Sequence, residues 1–125
     1  MTAQIELAGL RVLVVEDDAM VALLEETMLE DLGCQVVGPA ARLEEALALA
    51  GSAEFDCAIL DVNLGQTPVF PVADLLAELG RPFAFATGYG AAGLNEAHKH
   101  ALVLNKPFQE ADLAAILRQL RAQIP

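Results

Sequence analysis

The chain has 125 residues, enough for one domain with a proper core and short for two. Hydrophobic residues make up 55% and charged residues 20%, which argues against intrinsic disorder. A net charge of −11, with 7 scattered basic residues against 18 acidic ones, argues against binding to nucleic acid, whose phosphates reward clustered Lys and Arg.

No apolar stretch approaches the roughly 20 residues needed to span a membrane. The opening "MTAQIELAGLR" lacks the basic start and apolar core of a signal peptide. The expectation is a cytoplasmic protein with no membrane partner. Cys34 and Cys57 sit in or beside apolar stretches and read as buried free thiols.

In chain order, the first apolar run, Arg11–Val15, reads as a strand that ends in Glu16, Asp17 and Asp18. Residues 19–32 follow as a helix, with Met20, Leu24, Met28 and Leu32 on one stripe and Glu25, Glu26, Glu30 and Asp31 elsewhere; Gly33 is a natural stop. A strand at Gln35–Gly38 leads to a short Ala/Leu-rich helix over 42–50. Cys57–Leu60 is the third strand, ending in Asp61. Pro71 suits the first turn of a helix that runs to Leu79 and ends at Gly80.

The fourth strand, Phe83–Ala86, runs into Thr87 within "FATGYG". Gly88, Gly90 and Gly93 then leave only about residues 94–100 for a helix, which should be short and marginal. "HKH" at 98–100 reads as the solvated end of that helix rather than a metal site, since no third ligand lies nearby in sequence. Ala101–Leu104 is the fifth strand, leading through "VLNKPF" to Lys106. Leu113, Ile116, Leu117, Leu120 and Ile124 then follow the spacing of an amphipathic helix.

Five strand–helix alternations imply an α/β fold: a parallel five-stranded sheet with right-handed crossovers and helices on both faces. In such sheets ligands bind beyond the carboxyl ends of the strands. That edge should carry Glu16 and Asp17, a separate Asp61, the Thr87 hydroxyl and the Lys106 ammonium. Crowded carboxylates need neutralising, and a set of oxygen donors suits Mg²⁺. Lys106 adds a point charge across the edge, Thr87 a hydroxyl donor, and Gly88 room for an anion to approach the backbone. The chemistry that fits is phosphoryl transfer onto a carboxylate, for which Asp61 is the best-placed nucleophile.

The segments "VLVVEDD", "AILDVNLG", "FAT" and "NKPF" occur in order, and with them the chain resembles a response-regulator receiver domain of two-component signalling over essentially its full length. The resemblance implies a flavodoxin-like (βα)5 three-layer sandwich with strand order 2-1-3-4-5. It implies a single receiver domain over residues 1–125 with no output domain. It further implies Asp61 as phosphoacceptor, Glu16 and Asp17 as the acidic pair, and the Asn63 main-chain carbonyl as a further Mg²⁺ ligand. Thr87 becomes the switch hydroxyl and Lys106 the invariant lysine, followed by a cis bond to Pro107. "FATGYG" narrows the resemblance to the FAT GUY subgroup, whose partners are sensor histidine kinases of the HWE or HisKA2 type.

The family usually carries an aromatic residue three positions before the lysine, where this chain has Val103; Tyr89 is the one tyrosine that could substitute. The surface made by the fourth helix, fifth strand and fifth helix is then the expected face for a downstream partner. No turnover of a separate substrate is expected. One rival is a small phosphohydrolase of haloacid-dehalogenase-like chemistry, which wants an acid where Asn63 stands. A second is a flavin-binding electron carrier, which wants hydroxyls where this chain has "EDDAM". A third is a degenerate receiver serving only as an interaction module, against which Asp61, Thr87 and Lys106 all stand.

Overall fold

The computed structural model describes residues 6–124. Its main sheet is built from β1 (Arg11–Val15), β2 (Gln35–Ala40), β3 (Cys57–Asp61), β4 (Phe83–Thr87) and β5 (Leu102–Asn105). The strands are parallel and lie in the order β2-β1-β3-β4-β5. This is the flavodoxin-like order that the resemblance implied.

Side chains alternate across the sheet and so feed two cores. Val12, Val14, Ile59, Ala84 and Leu104 point to one face, which α1 (Ala19–Asp31) and α4 (Glu110–Ala122) cover. Leu13, Val15, Ala58, Leu60 and Phe85 point to the other, which α2 (Leu43–Ser52) and α3 (Phe70–Leu79) cover. Strands buried on both faces explain why their sequences are apolar at almost every position. Among the described residues, no helix is long and apolar enough to cross a membrane.

Local chemistry sets the helix ends. Asp18 caps α1, its Oδ1 accepting from the amides of Met20 at 2.9 Å and Val21 at 3.2 Å. Gly80 closes α3 in the left-handed region, with φ of +70°. The stripe Leu113, Ile116, Leu117 and Leu120 is buried, as the spacing predicted. Cys34 and Cys57 are buried free thiols, pushed up to about 11 and about 12 by burial. The Lys106–Pro107 bond is cis, as is Gly38–Pro39.

Three expectations need correction. On α1 the predicted stripe is split: Leu32 is buried and Met28 packs on the core, but Met20 and Leu24 are 70% and 57% exposed, and the helix buries Ala22, Glu25 and Leu29. "AMVALLEETML" is apolar on more than one side, so periodicity alone did not choose the face. The predicted helix over 94–100 does not form; two short 3-10 turns, Gly90–Gly93 and Glu96–His98, take its place. Three glycines and few residues leave too little chain to nucleate an α-helix. Finally, only Lys99 and His100 of "HKH" are solvated: the His98 side chain is 9% exposed. A small antiparallel pair, Asn63–Leu64 with Thr67–Pro68, was not anticipated.

Gly38 marks where the β1–β2 register shifts between Leu13 and Val15. Its φ is +94°, and a Cβ there would lie 2.9 Å from the Ala40 amide nitrogen and 3.0 Å from the Val14 carbonyl oxygen. Backbone atoms cannot swing aside. Gly38→Ala should therefore cost about 2–4 kcal/mol in urea unfolding. Gly80→Ala, at positive φ but in open space, should cost only about 1 kcal/mol. Equal losses would contradict this reading of the β1–β2 junction.

Candidate functional site

Each strand delivers its last residues to one edge. β1 hands on Glu16, whose amide donates to the Ala40 carbonyl at 2.9 Å. β3 ends on Asp61, registered with Ala86 of β4, so that Thr87 is the next residue along. Thr87 is registered in turn with Asn105 of β5, and the Lys106 amide donates to the Thr87 carbonyl at 2.9 Å. Pairing among four strands thus brings together residues up to 90 apart in sequence.

The side chains then converge. Lys106 Nζ donates to Glu16 Oε1 at 2.8 Å and lies 3.3 Å from Asp61 Oδ1. Glu16, Asp17 and Asp61 bring carboxylate oxygens within 4.8 Å of one another. Three oxygen donors at that spacing suit a hard divalent cation. Asp17 also accepts from the Gly65 amide at 2.7 Å, which ties the Asn63–Pro68 hairpin to the cluster. Gly65 needs its positive φ of +65° to make that approach. Asn63 lies on this hairpin, two residues past Asp61 and exposed at the rim. Asp18, read with the acidic cluster from sequence, is spent on capping α1.

Thr87 is 4% exposed, and its hydroxyl accepts from the Tyr89 amide at 3.1 Å. The hydroxyl is therefore engaged by its own loop rather than by Asp61 or Lys106. Tyr89 is 76% exposed. Val103 pairs with Phe85 across β4 and β5 and is half-buried.

One carboxylate at the site was missed. Glu25 is only 3% exposed, and its Oε1 is the one buried side-chain polar atom without a hydrogen-bond partner among the described residues. Burial first, and then the charge of Glu16, push it up to about 8, with Lys106 pulling the other way. It therefore carries a proton at neutral pH. The signal was in the spacing: positions 22, 25, 29 and 32 form a helical face, three of them apolar and buried. Asp61 is raised to about 7, again by burial and then by Glu16, against the pull of Lys106. Burial lowers the Lys106 ammonium, but the Glu16 hydrogen bond and the charges of Asp61 and Glu16 outweigh it and hold the ammonium above its ordinary value.

Glu25 and Asp61 both hold protons more tightly folded than unfolded, so folding takes up protons between their ordinary values and about pH 8. Stability of the metal-free protein should accordingly fall as pH rises through that window. Glu25→Gln removes one of the two groups while keeping the side chain's shape. It should stabilise the protein by a few kcal/mol at pH 8 and by little near pH 4.5. A gain of the same size at both pH values, measured by urea unfolding, would contradict the assignment.

The chain matches the response regulator receiver domain family over residues 12–118. It is 33% identical over 112 residues to the phyllosphere-induced regulator PhyR of Methylorubrum extorquens, a match covering 86% of this chain and 42% of that protein. The chain spans about half the length of the curated relatives it matches. Among solved structures, SdrG from Sphingomonas melonis Fr1 is 35% identical with a TM-score of 0.80, covering 97% of this chain and 99% of SdrG. The receiver domain of the sensor histidine kinase PA1611 from Pseudomonas aeruginosa, solved with a magnesium ion coordinated in its active-site cleft, is 24% identical with a TM-score of 0.79. That match covers 92% of this chain and 99% of the other, and at this identity it speaks to the fold alone. Matched over most of its length and folded with the same sheet order, this chain belongs to the response regulator receiver family.

Proposed function

We propose that the chain accepts a phosphoryl group from the phosphohistidine of a sensor histidine kinase onto Asp61, and later loses it to water. The observation that carries this reading is the meeting of Lys106 with Glu16 and Asp61 at 2.8 and 3.3 Å, beside Asp17. The phosphorus–nitrogen bond breaks as a bond to an Asp61 carboxylate oxygen forms. The loose transition state asks for positioning and charge neutralisation more than for covalent help.

The donor set fits Mg²⁺, which Glu16, Asp17 and Asp61 would hold together with the Asn63 main-chain carbonyl. Bound there, the ion would neutralise charge on the phosphoryl oxygens. Lys106 offers its ammonium to the same oxygens, and Thr87 sits one register step from Asp61, at the end of β4. Modification of its own side chain is the whole chemistry, so no separate substrate is turned over.

A phosphodonor has to bring its phosphohistidine against this edge. Met20, Leu23 and Leu24 of α1 are 70%, 56% and 57% exposed beside it. A largely apolar groove of about 260 Å³ runs from α1 to Pro107 and Phe108. Such a patch is what a docking kinase would cover. The "FATGYG" stretch favours a kinase of the HWE or HisKA2 type. We assign the downstream face to the region around β5 and α4.

Acetyl phosphate with Mg²⁺ should add one phosphoryl group, and Asp61→Asn should abolish it; undiminished labelling of that variant would overturn the reading. Leu24→Asp should separate docking from chemistry. It should slow phosphotransfer from the cognate kinase by about tenfold or more while leaving labelling by acetyl phosphate within about twofold. Equal slowing with both donors would place Leu24 in the chemistry rather than in the docking face.

A further inference from the structure

The connection from Thr87 to Ala101 contains no α-helix, so its position depends on what pins it. At its start, the Tyr89 amide donates to Thr87 Oγ1 at 3.1 Å, and Gly93 folds back so closely that a Cβ there would lie 3.1 Å from the same oxygen. At its far end His98 turns inward. Its ring stacks on Phe70 at 6.0 Å and 12°, and meets the edges of Phe83 at 5.8 Å and Phe85 at 5.6 Å. Its Nε2 lies 2.7 Å from Asp74 Oδ1, and Asn95 Oδ1 accepts from its backbone amide at 3.1 Å.

Phe70 and Asp74 belong to α3, and Phe83 and Phe85 to the strand that carries Thr87. We propose that residues 88–98 act as a strap pinned to α3 by His98, so that a displacement of Thr87 is passed to α3 instead of dissipating in the loop. The transmission half of this proposal rests on reading Thr87 as the hydroxyl that moves when Asp61 is modified; the pin does not.

Magnitudes say which contact holds the pin. Asp74 is 64% exposed, so its pairing with the imidazole is weakly stabilising. The ring, seated among three aromatic side chains and 9% exposed, carries most of the attachment. His98→Phe should therefore keep the strap seated, while His98→Ala should release it.

Amide hydrogen exchange on the unmodified protein tests the pin. In His98→Ala, the Tyr89 and Leu94 amides, which donate to Thr87 Oγ1 and the Ala91 carbonyl, should exchange about tenfold faster or more, with β3 unchanged, and in His98→Phe within about threefold of the wild type. An unchanged rate in His98→Ala would overturn the strap. Backbone NMR of the wild-type protein with beryllofluoride and Mg²⁺ tests the transmission without any variant. Amides of Phe70–Asp74 should shift together with those of 88–98. A response at Asp61, Val62 and Thr87 with none in α3 would also overturn the proposal. If Asp61 and Val62 themselves do not respond, the phosphoacceptor reading fails, and the exchange measurement alone decides the strap.

Discussion

The ammonium of Lys106 is 2.8 Å from Glu16 Oε1 and 3.3 Å from Asp61 Oδ1, at an edge that also carries Asp17 and the buried Glu25. One cation cannot balance four carboxyl groups of which Glu16 and Glu25 are buried and Asp61 half-buried. The site settles the difference with protons: Asp61 is raised to about 7 and Glu25 to about 8. Much of the fold can be read as the means of holding this poorly balanced cluster in place. Pairing of β1 with β3, β3 with β4 and β4 with β5 fixes the strand ends, and the carbonyl of Thr87 holds the Lys106 amide.

That balance also gives the edge its appetite for positive charge. A cation arriving among Glu16, Asp17 and Asp61 meets carboxyl groups that are close enough to share it and costly to leave unpaired. Modification of Asp61 would then ask Lys106 to serve a new anion, loosening its hold on Glu16. Thr87, currently engaged by the Tyr89 amide, is the neighbour free to follow without breaking the sheet. The two 3-10 turns beyond it have little internal bonding, so small inputs suffice to move them. On the proposed reading, the path from chemistry to surface would run through the least regular part of the described residues.

Sequence made the strand ends legible because parallel strands covered on both faces are apolar throughout, and the first polar residue marks the edge. Glu16, Asp61 and Thr87 were found in that way, and Lys106 one residue beyond the first polar residue, Asn105. The face of α1 was not legible, because residues 21–24 are apolar on several sides and only packing against β1 and β2 decides which side is buried. For the same reason Glu25 was placed off the apolar stripe, although its spacing from Ala22 and Leu29 points inward. His98 was misread because nothing local announces a seat built from Phe70, Phe83 and Phe85, which come from α3 and β4. Pairings between distant elements leave no periodic trace.

Protons held by Asp61 and Glu25 lower the negative charge of this edge. Titration calorimetry of Mg²⁺ binding at pH 7, run in two buffers with different ionisation enthalpies, measures the protons expelled per ion bound. Because burial and the charge of Glu16 raise the Asp61 carboxyl, binding should release protons, and Asp61→Asn should reduce that release sharply. Binding enthalpies that are identical in the two buffers would mean that no proton leaves, and would contradict the account.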